Sequence, residues 1–225
     1  MDRKVTKFNA VYLLTDGQGV DIDGWQWQGD TVSNNACAGS LYVHPAIAVL
    51  LNPLYEKFET EDLTIWRGIA KDTAPDGIGR FKANGLALVD RVPAPLIPDA
   101  RRLAFALLCV RRVYPEKWFL DMTDEWLFGA ELPLDKFERN FSLAKEILNE
   151  HPHAPGLAQM IRSAVEMSKW LCLGICTDED GIDFAEQAAG CIELAAYAGI
   201  ESGRHLDLVE IWGELERYTG VVVPV

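Results

Sequence analysis

The chain has 225 residues, 49% hydrophobic and 24% charged, which is enough to bury a sizeable core and too apolar for a disordered chain. Lys and Arg number 21 against 34 Asp and Glu, a net charge of −13, so the composition argues against a charge-driven grip on nucleic-acid phosphates. No apolar stretch with a small-residue cleavage site follows Met1 to Lys4, and the most membrane-like stretch, Leu157 to Cys176, is interrupted by Arg162, Glu166 and Lys169. A cytoplasmic protein without membrane contact is expected.

Phe8 to Leu14 is a short apolar run that stops at the turn-rich Thr15 to Gly19, and it predicts a strand followed by a loop. Trp25 and Trp27, separated by Gln26, point to one face if the segment is extended, and that face either packs in the core or anchors a partner. Pro45 to Leu51 predicts a short helix with Ala46, Val49 and Leu50 on one side. Leu63 to Ala70 and Gly85 to Val92 repeat the strand signature. Three or four strands and one helix then make a small mixed sheet in an α/β head of residues 1–92.

Three prolines between Val92 and Pro98 forbid helix and predict an extended connector over residues 93–98. The remainder, 99–225, reads as a helical domain. Asp99 is expected to cap a helix with Leu103, Leu107 and Val110 on its apolar face, ending in Arg111 and Arg112. Pro115 is expected at the first position of the next, which carries Trp118, Phe119, Met122 and Trp126. Asp135 opens another, with Phe137, Phe141, Ala144 and Leu148 at helical spacing. Gly156 to Cys176, Phe184 to Ile200 and His205 to Tyr218 complete a bundle of five to six helices, and the fold class is α+β.

The five cysteines, Cys37, Cys109, Cys172, Cys176 and Cys191, sit in apolar runs and read as buried thiols of a reducing compartment. Cys172 and Cys176 with His151 and His153 have the wrong spacing for a zinc finger or ribbon. Asp178, Asp180 and Asp183 around Gly181, and Asp21 and Asp23 before Gly24, imitate a calcium loop, yet the outer ligand positions hold Cys176 and Gln187 in one and Gly19 in the other. Turn formation and capping explain both, so no metal and no cofactor is expected. No Walker loop or Gly-x-Ser-x-Gly is present, and Gly17-Gln-Gly19 lacks the third glycine of a dinucleotide loop.

Charge carries the functional reading. Residues 173–225 hold two arginines against eleven acids, a net of −9. Asp207, Glu210 and Glu214, at i, i+3 and i+7, share one helix face that would attract a basic surface. The expected partner-binding residues are therefore Trp25, Trp27, Asp207, Glu210 and Glu214, and the expected activity is the binding of a protein with a basic surface. The alternative is an enzyme or nucleotide-binding protein whose site lies in the head, using the Gly17 to Gly29 loop with His44 and Arg67. The aromatic load and the small-residue helix from Ala185 to Ala198 also predict a homodimer.

The run from Arg102 to Cys109 with Arg111 and Arg112, then Trp118, the segment Glu125 to Gly129, and the alanine-rich Ala185 to Ala198, resembles uncharacterised bacteriophage and bacterial proteins. The resemblance covers about the second half of the chain and brings no catalytic signature. It implies a phage or mobile-element origin and an inhibitor acting on a host protein.

Overall fold

The computed structural model describes residues 8–27, 32–33, 37–59, 62–127, 138–140, 142–143, 146, 155–172 and 183–217. The chain divides into two compact units, Met1–Leu96 and Ile97–Val225, the first dominated by strands and the second by helices. It is an α+β protein.

The first unit contains β1 (Phe8–Thr15), β2 (Val32–Ser33), β3 (Cys37–Tyr42), α1 (Pro45–Leu51), β4 (Thr64–Pro75) and β5 (Arg80–Val92). β1 pairs with β4 from Phe8↔Lys71 to Thr15↔Thr64, and β4 pairs with β5 from Ile65↔Val92 to Pro75↔Phe81. β5 in turn pairs with β2 and β3, and β3 returns to β1 at Tyr12↔Tyr42 and Leu13↔Leu41. The circuit β1–β4–β5–β3–β1 is closed. This is a small barrel, antiparallel at every described pairing and not mixed, with β4 and β5 joined as a hairpin.

β4 and β5 both extend beyond the apolar runs that mark them in the sequence. The residues after Ala70 and before Gly85 are mostly polar, but a ladder is made by backbone groups and needs no apolar side chain. Val11, Leu13, Trp27, Leu41, Trp66, Ala70, Ala83, Leu86 and Leu88 form one buried cluster. Trp66 brings a polar edge into that core and satisfies it by donating Nε1–H to the buried Thr15 Oγ1 at 3.2 Å.

α1 is buried from Ala46 to Leu51 and packs against β1 and β3. A helix apolar on all sides cannot face water, so this segment belongs inside the unit. Its N-cap is His44, whose Nδ1 accepts the Ala46 N–H at 3.2 Å.

In the second unit, α2 (Asp99–Val113), α3 (Lys117–Leu127), α4 (Pro155–Cys172), α5 (Phe184–Glu201) and α6 (Leu208–Arg217) have described bounds. Residues 138–140, 142–143 and 146 are helical as well. α2 contacts α3, α4, α5 and α6. Every residue from Arg102 to Val110 is buried, so the apolar stripe expected on α2 is in fact a fully surrounded central helix. Asp99 is its first residue, not its cap; Pro98 occupies the cap position. Cys109 and Cys191 are buried free thiols, as the apolar runs around them predict.

α5 is capped by Asp183, whose carboxylate accepts the Glu186 N–H at 2.8 Å. It ends in a Schellman arrangement, with the Arg204 N–H donating to Gly199 O at 2.7 Å and the Gly203 N–H to Ile200 O at 3.1 Å. Gly203 has φ 71, the left-handed conformation that this ending needs. Cys37 lies at the start of β3, while the side chain of Cys172 and residues 151, 153, 176, 178 and 180 lie outside what the structure describes.

Candidate interaction site

Residues 16–27 fold into a compact hairpin beside β1, and two aspartates hold it. Asp16 Oδ1 accepts the N–H groups of Gln18 and Val20 at 2.9 and 2.8 Å. Asp21 Oδ1 accepts those of Asp23 and Trp25 at 3.0 and 2.9 Å, and its Oδ2 takes the indole N–H of Trp27 at 2.6 Å. Aspartate is suited to this because its short carboxylate reaches backbone donors two to four residues ahead. Asp21 is buried, and the sequence motif that imitates a calcium loop is the turn it nucleates.

Backbone pairs complete the hairpin. Asp21 N–H donates to Trp25 O and Gly24 N–H to Asp21 O, both at 3.0 Å, while Val20 and Gln26 form a bridge. Trp27 N–H donates to Gly19 O at 2.7 Å. Gly19 has φ 86, and a Cβ there would lie 2.6 Å from Trp27 O, so only glycine permits this crossing.

The two tryptophans have opposite fates. Trp27 is 5% exposed and sits in the barrel core, whereas Trp25 is 59% exposed and Ile22, in the same hairpin, 49%. The spacing of two predicts a shared face only in a continuing strand, and here the extended part is a single bridge long. Trp25 closes the Asp21–Gly24 turn; Trp27 lies beyond the bridge, where the core begins. Of this pair, Trp25 alone presents its ring to solvent, and the sequence reading overlooked Ile22. The Asp-x-Asp-Gly turn chemistry was the available signal for a rigid tip.

The acidic residues of α6 are more committed than their spacing suggests. Asp207 is the helix cap, its Oδ1 accepting from Val209 and Glu210 N–H, both at 3.0 Å. Glu214 is 19% exposed in its side chain and bound to Arg112 of α2 at 2.6 Å, while Glu210, 64% exposed, meets the same guanidinium at 3.5 Å. The Glu214 hydrogen bond, reinforced by the charges of Glu214 and Glu210, raises the Arg112 pKa. An open cavity of about 200 Å³ lies beside them, lined by Arg112, Arg204, His205, Asp207, Glu210 and Ile211 among others. Its walls carry both signs of charge. Glu210 is therefore the more outward of the two glutamates, and Arg112, the last-turn cation of a helix far away in sequence, is the neutralising partner.

The residues named for a catalytic alternative have structural contacts. His44 caps α1, and Arg67 forms a two-pronged pair with Asp90 through Nε and Nη2, each at 2.8 Å. Among the described residues no group of three or more His, Cys, Asp and Glu could hold a metal ion, and no described helix is long and apolar enough to cross a membrane. No protein-family model, curated protein or solved structure matches the chain.

Proposed function

We propose that this is an acidic protein-binding protein, an interaction or inhibitor module, that docks on a partner with a basic surface through the Trp25 hairpin. The observation that carries the reading is an exposed tryptophan and an exposed isoleucine on one hairpin whose backbone is ordered by Asp21. A large side chain on backbone that is ordered before binding loses less entropy on docking than one on a floppy loop, and tryptophan supplies a large contact area there. Charge gives the partner its sign. No Lys or Arg occurs between Phe8 and Glu56, a stretch that carries Asp16, Asp21, Asp23, Asp30 and Glu56. Glu210 and the rest of the acidic C-terminal region add long-range attraction and set the encounter rate more than the affinity.

The same reading takes the helical unit as a bundle of five or six helices, with the helical residues of 138–146 as its sixth member. It also takes the protein as cytoplasmic, consistent with the buried free thiols of Cys109 and Cys191. A phage origin and a host target remain part of the proposal, as does a homodimer.

Affinity capture with the wild-type chain, repeated with Trp25→Ala, tests it. A partner held by the wild type and bound roughly 30-fold or more weakly by the variant, with unchanged melting, supports the anchor. Association with that partner should slow as salt shortens the Debye length from about 10 Å at 0.1 M to about 3 Å at 1 M. Equal retention by wild type and Trp25→Ala overturns the site, and a rate indifferent to salt overturns the basic partner.

A further inference from the structure

The turn after α1 brings a buried carboxyl to the end of the β3–β5 ladder, where Tyr42 and Arg80 are cross-strand partners. Glu56 is 4% exposed, and its Oε2 accepts the Tyr42 hydroxyl at 2.6 Å. Its Oε1 is buried without a hydrogen-bond partner. Arg80 faces the same cluster but is spent elsewhere: Nη1 donates to Ser40 Oγ at 3.2 Å, and the guanidinium carbon lies 3.6 Å from the centre of the Tyr55 ring. Arg80 Nε is also buried and unpartnered. One acceptor and one donor are thus left unmatched in one cluster. The groups facing Glu56 are Ser40 and Tyr42 from β3 and Arg80 from β5, with Tyr55 of its own turn under the guanidinium.

A neutral carboxyl tolerates this arrangement, because burying it costs far less than burying a carboxylate with an unmet oxygen. An ionised carboxyl does not. Its Oε1 then needs a donor, and Arg80 is the cation facing it. We infer that Glu56 and Arg80 form a proton-controlled contact: with Glu56 protonated, Arg80 stacks on Tyr55 and bonds Ser40; with Glu56 ionised, the guanidinium leaves the ring and pairs with the carboxylate. The direction of the Glu56 pKa agrees with the geometry. Burial raises it above the usual glutamate value, against the opposing pull of Tyr42, Ser40 and Arg80.

The moving parts are small. Asn52 anchors the turn independently, its Nδ2–H donating to Phe58 O at 2.8 Å and its Oδ1 accepting the Phe58 N–H at 3.1 Å. Proton uptake therefore changes what the Tyr55 ring touches while the backbone of the turn stays tied. The fold thereby carries a contact that responds to mild acidification.

An NMR titration of the full chain, observing Glu56 Cδ, the Arg80 Nε–H and the Tyr55 ring, tests this. The three signals should share one midpoint above the ordinary glutamate value. Glu56→Gln should hold the Arg80 and Tyr55 signals in their low-pH positions at every pH. Tyr55→Leu, which removes the ring that competes for Arg80, should lower the Glu56 midpoint by about half a pH unit, and this provides the test if the glutamine variant fails to fold. A Glu56 midpoint at the ordinary value, Arg80 and Tyr55 signals that titrate unchanged in Glu56→Gln, or a midpoint unmoved in Tyr55→Leu would overturn the inference.

Discussion

Removing the Asp21 carboxylate should unlock the hairpin and cost the protein measurable stability. Asp21→Ala strips the acceptor from three donors, of which the Trp27 indole N–H is buried and the Asp23 and Trp25 amides lie at an exposed tip. A buried donor left without an acceptor costs about 1–3 kcal/mol, while the two amides can rehydrate at about 0.5 kcal/mol each. The expected loss is then about 2–4 kcal/mol. Trp27→Phe removes the same short bond from the other side, and the Asp21/Trp27 double-mutant cycle isolates it. A charge-assisted bond of this kind predicts a coupling of about 1.5–3 kcal/mol, read by urea denaturation with the m-value as a check on two-state behaviour. Two substitutions that add within about 0.5 kcal/mol would mean that Asp21 does not hold Trp27, and the claim of a pre-ordered Trp25 tip would fall with it. Asp21→Ala should also weaken partner binding even though it leaves the Trp25 ring itself intact, because the tip must then be ordered at the moment of docking.

Glu56→Gln should flatten part of the pH dependence of stability. The Glu56 pKa is raised in the folded state, so its stabilising contribution is fully present below the unfolded value of 4.5 and is lost as pH rises through the folded one. The wild type should therefore gain stability relative to Glu56→Gln on acidification across that window, and denaturation curves of both proteins at stepped pH measure it. Reversing Asp207, Glu210 and Glu214 together should destabilise the helical unit instead of acting on association alone, since Asp207 caps α6 and Glu214 binds Arg112. Loss of the cap is worth about 1 kcal/mol, and single reversal of the exposed Glu210 should by contrast stay within about 0.5 kcal/mol in thermal or urea melts. Gly199→Ala would place its Cβ on the Arg204 carbonyl oxygen and should cost about 2–4 kcal/mol, whereas Gly190→Ala, where a Cβ meets nothing, should be neutral or slightly stabilising in the same assay.

Local patterns in the chain determined much of the secondary structure. α1 covers Pro45–Leu51, as its apolar spacing predicts, and β1 runs one residue past the Phe8 to Leu14 run that marks it. The end of α5 at Glu201, one residue past the expected Ile200, was likewise legible, because helix ends and turns are made by residues near each other in sequence and depend on backbone preferences that travel with the residue type. Tertiary structure decided the rest. Periodicity cannot tell that β4 and β5 continue through polar residues, since their partners there are backbone groups of another strand. Spacing placed Trp25 and Trp27 together, yet only the position of the barrel core sends one inward and leaves the other outside. Glu214 looks like a free surface charge until Arg112, 102 residues earlier, is brought against it. Burial and charge pairing depend on which distant segments meet, and that is settled by packing the whole unit, where the gain from covering one apolar surface outweighs any preference of a single residue.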